Sequence, residues 1–266
     1  MLLELSEVFV CPSCRPAQGM VVVVDRLDGR RVLEGRLGCP GCDLRVPVRR
    51  AAVRFDLAAG DGSGSGRDRA SGAADAPDTP GGAPEDGRLP ELLREAGPEE
   101  AAVRLAALLG ADEAEGYLLL GPDLGALAAG VAARAPDAEV LALAREAVTG
   151  IEEGVARAVG VDPEEMPLFT GRMAGCALAA PSITGLREGT RVIREGARLV
   201  VLAPGPDCRE AMEELPLRAT AADERAVVAV REAGGFEAPF ARFSGGPRPR
   251  SGGEAVGEDS PEAGPE

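Results

Sequence analysis

Four of the six cysteines in this 266-residue chain stand as two close pairs, Cys11-Pro-Ser-Cys14 and Cys39-Pro-Gly-Cys42, with 24 residues between the pairs. A CxxC turn aims two sulfurs at one point. Two such turns on neighbouring hairpins close a tetrahedron of thiolates, the donor set that Zn²⁺ takes in closed structural sites. Disulfides or a thioredoxin-like redox pair would need a context the sequence does not supply. The first ten residues, MLLELSEVFV, carry acids rather than a basic leader region and have no cleavage signature. A reducing cytoplasm is therefore the expected compartment. Cys11, Cys14, Cys39 and Cys42 are expected to hold one structural zinc, with no coordination position left open for catalysis.

Other chemistry is limited by composition. The chain has no His, Lys, Asn or Trp, and all 29 basic residues are Arg. Histidine is the usual general base near neutral pH, so proton transfer would fall to Asp, Glu, Cys or the single tyrosine, Tyr117. Cys176 lies in an apolar run and reads as core, whereas Cys208, after Pro-Gly-Pro-Asp, reads as a residue at a helix N-terminus with some thiolate character. Neither has a histidine partner that would make it a nucleophile. Residues 1–55 carry nine Arg against six Asp and Glu, a net of +3, and the remainder twenty against 38, a net of −18, which together make the chain's −15. An acidic body repels phosphate backbones. Any nucleic-acid contact would belong to Arg45, Arg49, Arg50 and Arg54, a cluster small enough to be an ordinary solvated face. No stretch is long and apolar enough to span a membrane.

The elements that must position these residues fall into two groups. Apolar runs VFV before Cys11, Met20–Val24 and Val32–Leu37 read as short strands joined by turns such as Asp28-Gly29. The second cysteine pair is followed by LRVPVRRAAVRFDL, whose alternation around Pro47 suits an exposed edge strand. Residues 58–88 are rich in Gly, Ala, Ser, Asp and Pro and are expected to form a disordered linker, as is a tail over 244–266. About thirty residues of this kind reach roughly 30 Å, which would let the first segment dock on the α/β part of the chain beyond it.

From residue 89 to 243 helical and strand-like segments alternate, which argues for an α/β, mainly parallel sheet. Helices are expected to start at Pro90 and Pro98, the latter stopping at Gly110. Strands are expected over Tyr117–Leu120, Glu139–Leu143, Ala174–Ala180, Ala197–Leu202 and Val227–Val230. Further helices are expected from the Gly121–Gly125 turn to about Arg134, and over Ile183–Arg194 with a stop at Gly196.

Residues 1–57 resemble the zinc-ribbon activator subunit of tRNA and protein methyltransferases and its short bacterial relatives. The leucine-rich lead LLELSEVFVCPSC and the closing piece CPGCDLRVPVRRAAVRFDL carry the likeness. Val46-Pro47-Val48 stands where that family has Tyr-Pro-Ile, and Ala51-Ala52-Val53 where it has Gly-Ile-Pro. The resemblance implies a methyltransferase or other protein partner bound through the ribbon's edge, or docking of the ribbon on its own chain. Residues 98–235 resemble a class I S-adenosylmethionine-dependent methyltransferase, through GLREGTRVIREGARLVVLAP at 185–204 and Met166-Pro167-Leu168-Phe169 followed by Ala174–Leu178. This likeness implies a Rossmann-like sheet with the cofactor loop at Gly121, Asp123 and Gly125.

The chemistry of that loop is altered. A cofactor loop needs glycines so that backbone can approach the ligand. Here Asp123 replaces the middle glycine. The acidic position two before the first glycine falls on Leu119, the ribose-gripping carboxylate on Ala144 with Glu146 two positions late, and the later Asp on Ala174. Each charged hydrogen bond lost from such a site is worth on the order of 1.5–3 kcal/mol. Several together remove most of the roughly 8 kcal/mol of a micromolar ligand. The expectation is a zinc ribbon fused to a non-catalytic methyltransferase-like domain that acts as a binding or stabilising subunit. Alternatives are an active enzyme that binds S-adenosylmethionine with its activator in cis, and a zinc-ribbon nucleic-acid binder.

Overall fold

A computed structural model describes residues 1, 3–14, 18–58, 90–145 and 152–234. Glu146, most of the 58–88 segment and all of the 244–266 tail lie outside the described residues. Strand-forming sequence dominates the early part. β1 (Val21–Asp28) and β2 (Arg31–Gly38) form a hairpin that turns at Gly29, whose φ is +56°. β3 (Arg45–Arg49) pairs antiparallel with β2, and β4 (Ala52–Arg54) antiparallel with β3 through a turn at Arg50 and Ala51. Both turn residues have positive φ, 51° and 62°, the left-handed geometry that a tight two-residue hairpin needs.

The later part adds α1 (Glu91–Arg94), α2 (Pro98–Leu109), β5 (Gly116–Leu120), α3 (Ala128–Ala132), β6 (Ala138–Ala144), β7 (Val155–Val159) and β8 (Met173–Ala179). It closes with α4 (Ile183–Val192), β9 (Ile193–Leu202), α5 (Pro206–Glu213), β10 (Leu217–Ala222) and β11 (Ala226–Arg231). Pro98 opens α2 and Gly110, at φ +66°, closes it. The eleven strands among the described residues form one sheet in the order β1-β2-β3-β4-β7-β6-β5-β8-β9-β11-β10. Its centre, from β4 to β9, is parallel, and antiparallel arms extend it at both ends. The α/β, mainly parallel architecture expected from the alternation of elements is present.

Three local expectations are corrected. The segment 44–57 is not an exposed edge, because β3 lies between β2 and β4 and β4 pairs with β7; among the described residues the edge at this end is β1. Pro47 is tolerated because the β3–β4 ladder covers only Val48 and Arg49. VFV is no regular strand: Val8 ends a 3₁₀ turn over Glu4–Val8, and Phe9 and Val10 make single bridges to Leu168 and Gly19. The helix expected to reach Arg134 is a 3₁₀ turn, Pro122–Leu127, followed by the short α3, in a stretch carrying the poor helix formers Gly125 and Gly130. Likewise α4 ends at Val192, and Gly196, at φ +77°, lies within β9 where the register against β8 shifts.

Alternate residues of the buried strands feed two cores. Leu118, Leu120, Val140, Ala142 and Val200 pack with α1, α2 and α3. On the other face, Leu119, Leu141, Leu143, Ala158 and Val201 share a core with Leu186 of α4, Met212 of α5, and Leu5, Val8, Phe9, Val46 and Val53 of the cysteine-bearing segment. The crossover from β7 to β8, Gly160–Arg172, contains no helix, although parallel crossovers usually carry one. Residues 4–10 lie against it instead: Phe9 bridges Leu168, Val10 N–H donates to the Pro167 carbonyl at 2.9 Å, and Phe169 N–H to that of Val8 at 2.9 Å. Arg191 fixes this crossover, donating to the Leu168 carbonyl at 2.8 Å and the Met166 carbonyl at 3.0 Å while paired with Glu188 at 2.7 Å.

One close contact needs glycine. A Cβ on Gly160, at φ +72°, would stand 2.6 Å from the backbone nitrogen of Asp56. Gly160→Ala is expected to cost about 2 kcal/mol or more, and Phe9→Ala about 3–5 kcal/mol. Because the two segments share one sheet and one core, urea unfolding of either variant should remain a single transition with both segments lost together. A separate early transition confined to residues 1–57 would contradict the shared core.

Candidate metal centre and cofactor crevice

The first cysteine knuckle is positioned by the bridge at Val10 and by Cys11 N–H donating to the Gln18 carbonyl at 2.9 Å. The second joins the end of β2 to the start of β3, with Cys39 N–H donating to the Leu44 carbonyl at 3.0 Å. All four Sγ atoms of Cys11, Cys14, Cys39 and Cys42 lie within 4.8 Å of one another, and those of Cys11 and Cys42 are 3.6 Å apart. A tetrahedron with zinc–sulfur distances of about 2.3 Å has sulfur–sulfur edges of about 3.8 Å, so the cluster could hold this ion. All six cysteines are free thiols in the structure.

Backbone amides supply the second layer. Gly41 N–H donates to Cys39 Sγ at 3.3 Å. Burial pushes the Cys11 thiol up, although the N–H groups of Cys14 and Ser13 oppose this. Cys14 is pushed up to about 12, first by its hydrogen bond with Cys42 and then by burial. Cys42 is drawn down, chiefly by the N–H of Leu44. Four thiolates so close together need a cation between them, and binding one must release protons.

The three loop residues expected at the cofactor site are together at the carboxyl end of β5, where the strand order reverses between β5 and β8. Such switch points are where open α/β sheets place ligands. Each residue is engaged by the protein itself. Gly121 N–H donates to the Ala177 carbonyl at 2.8 Å, and a Cβ there would stand 3.3 Å from that oxygen. Asp123 does not cap a helix; its carboxylate faces the Arg145 guanidinium at 3.5 Å. The Gly125 carbonyl accepts from Arg157 Nη1 at 3.4 Å, and Arg157, buried in β7, forms an ion pair with Glu152. Leu119, Ala144 and Ala174 are buried apolar positions without a carboxylate.

Arg145, Arg157 and Glu152 were not anticipated from sequence. An arginine inside the apolar run VARAV was the available signal, since a guanidinium in a buried strand requires partners. Among the other candidates, Cys176 is core, and burial raises its thiol pKa. Cys208 is the third residue of α5 but is also buried, and burial raises rather than lowers its pKa, so the expected thiolate character is absent. The basic cluster is divided. Arg54 is held bidentately by Asp56 at 2.8 and 2.7 Å, whereas Arg45 and Arg49 are exposed. No described helix is long and apolar enough to cross a membrane.

No protein-family model matches the chain, and no curated protein is significantly similar to it. Among solved structures, similarity is found to a SAM-dependent O-methyltransferase from Thermotoga maritima, at 15% identity and a TM-score of 0.41, over 52% of this chain and 67% of that one. A geranyl diphosphate methyltransferase solved in complex with SAM has 15% identity and a TM-score of 0.41, over 50% of this chain and 85% of its own. A predicted O-methyltransferase from Agrobacterium tumefaciens has 18% identity and a TM-score of 0.39, over 49% and 80%.

Metal analysis of the purified chain is expected to find one zinc per molecule, and Cys39→Ser to remove most of it. Because Cys11 and Cys14 have thiol pKa values raised above the ordinary value, protonated thiols must ionise on binding. Competition titrations between about pH 6 and 8 should show affinity falling by about tenfold or more for each unit of acidification. A pH-independent affinity, or full zinc content in Cys39→Ser, would contradict the four-thiolate site.

Proposed function

We propose that the chain is a methyltransferase-like binding protein, not a catalyst, in which a zinc-pinned ribbon stabilises the chain's own parallel sheet. Support for the stabilising role comes from β4, which pairs with β7 at Ala52, Val53 and Arg54 and so commits one strand edge of the ribbon to its own chain. Zinc bound by four thiolates supplies a cross-link between the two knuckles and leaves no position for substrate. Cys11, Cys14, Cys39 and Cys42 hold it, and the N–H groups of Gly41 and Leu44 orient two of the sulfurs.

The observation that carries the non-catalytic reading is the engagement of the loop. Arg157 takes the Gly125 carbonyl and Arg145 takes Asp123, where a methyltransferase would present its glycine loop to the cofactor. Arg157 is buried while its partner Glu152 is partly exposed, so freeing the Arg157 side chain would leave a guanidinium in the sheet without its hydrogen-bond partners. The acidic position ahead of the loop is Leu119, and the position of the ribose-gripping carboxylate is Ala144.

A second reading is an active S-adenosylmethionine-dependent methyltransferase with its activator ribbon in cis. The same two guanidinium groups favour it, since either could receive the cofactor's methionine carboxylate. Calorimetric titration of S-adenosylmethionine and S-adenosylhomocysteine into the zinc-loaded full chain separates the two. The expected result is no saturable heat at millimolar ligand, with Arg157→Ala lowering thermal stability and leaving binding absent. Micromolar binding that weakens about tenfold or more in Arg157→Ala, the loss of a charge-assisted contact, would overturn the proposal in favour of the enzyme.

A further inference from the structure

The crossover between β7 and β8 takes its shape from neighbours on both sides of it. Leu168 forms an antiparallel bridge with Phe9, so the polar groups of successive residues around it point in opposite directions. Phe169 N–H and the Pro167 carbonyl face the cysteine-bearing segment, where they pair with the Val8 carbonyl and Val10 N–H, each at 2.9 Å. The Leu168 carbonyl faces the other way and accepts from Arg191 Nη1 of α4 at 2.8 Å. Arg191 uses all five of its N–H donors here. Nη1 also donates to Thr170 Oγ1 at 3.3 Å, Nη2 to the Met166 carbonyl at 3.0 Å and to Glu188 Oε2 at 2.7 Å, and Nε to Glu188 Oε1 at 2.8 Å. Glu188 Oε2 in turn accepts from Met166 N–H at 3.0 Å. The side chains of this pair are 21 and 16% exposed, so water competes little for these bonds.

We infer that Arg191 is a positioning residue for the zinc centre, fixing the first cysteine knuckle through the crossover although it is not itself a ligand. The route is short. Val10, held by Pro167, directly precedes the ligand Cys11. On the other side of the knuckle Gly19 bridges Val10, and a Cβ on Gly19 would stand 3.4 Å from the Phe169 ring. Both flanks of the knuckle therefore rest on residues 167–169, whose opposite edge Arg191 holds. The second knuckle is fixed instead by the β2–β3 ladder. A thiolate cluster binds zinc at full strength only while both knuckles converge, and opening of one lowers the apparent affinity by the fraction of molecules still closed. Such coupling is reciprocal, so zinc holds the crossover as firmly as the crossover holds zinc. Lysine cannot stand in for the arginine, because three donors on one nitrogen cannot reach the Met166 and Leu168 carbonyls and both oxygens of Glu188. This role rests on zinc occupying the four cysteines, and it holds whether or not the crevice binds S-adenosylmethionine.

The test is a competition titration of Zn²⁺ against a metal-binding dye, at fixed pH and at a temperature where every variant of the full-length chain is folded. Arg191→Ala and Arg191→Lys are expected to lower zinc affinity about tenfold, the scale of one charge-assisted hydrogen bond lost. Leu105→Ala, which opens the core on the other face of the sheet, controls for general loss of stability. It should lower the melting temperature at least as much and leave zinc affinity unchanged. Hydrogen exchange at the amides of Val10 and Phe169 should quicken about tenfold in zinc-loaded Arg191→Ala, and removing zinc from the unaltered chain should quicken it at Met166. Should Arg191→Ala fail to fold, Glu188→Gln keeps the shape of the pair and is expected to weaken zinc binding about threefold. Unchanged affinity in the Arg191 and Glu188 variants, or an equal fall in Leu105→Ala, overturns the role of Arg191. Absence of zinc binding by the unaltered chain overturns the metal centre and this role with it.

Discussion

Three residue pairs between β4 and β7 make one molecule of two sequence segments. The pairing is parallel, joins Ala52–Arg54 to Arg157–Val159, and converts a small antiparallel meander into the flank of a larger sheet. The rest depends on it. It places Val53 at the boundary of the shared core, brings Gly160 against Asp56 so closely that no side chain fits, and sets residues 4–10 over a crossover that has no helix of its own. Parallel strands need cover on both faces to hide their backbone. Here much of the cover for one face comes from a segment that precedes the sheet's central strands by about a hundred residues.

Local chemistry was legible and long-range pairing was not. The two CxxC turns announce their cluster because each knuckle is a self-contained turn, and only their convergence needed the fold. Pro98 and Gly110 mark α2 at both ends because each residue acts through its own φ. The strands β5, β6, β8 and β9 are apolar runs long enough to be read without their neighbours. By contrast β7, VARAV, carries an arginine in its middle, and β10, LRATAA, is half alanine, a residue with little strand preference. Segment 44–57 looked like an edge because Pro47 and alternation are edge signals. What covers β4 lies 105 positions further along, and no local pattern points to it.

The candidate cofactor loop shows the same division. Gly121 and Gly125 could be located from the turn that follows an apolar strand. Their roles could not, because Arg145 arrives from the end of β6 and Arg157 from the middle of β7. A glycine that admits a ligand and a glycine that admits a neighbouring strand look alike in sequence. At Gly121 the nearest atom is a carbonyl of β8, so strand packing alone accounts for that residue. At this loop the Gly125 carbonyl and the Asp123 carboxylate both meet guanidinium groups of the chain's own strands.

The helix-free crossover also bears on the order in which the chain can be made. Phe9 meets Leu168 across 159 positions, so during synthesis the cysteine-bearing segment leaves the ribosome long before the strand and crossover that complete it. Contacts of such separation make folding slow, because loop closure must come before any gain from the contact. Until then Leu5, Val8 and Phe9 lack the part of their cover that the crossover and the central strands supply, and transiently exposed apolar surface of this kind is where newly made chains aggregate. The two knuckles need only the hairpin that joins them, so an early cross-link there would hold the first strands in register while the rest of the sheet is still being translated.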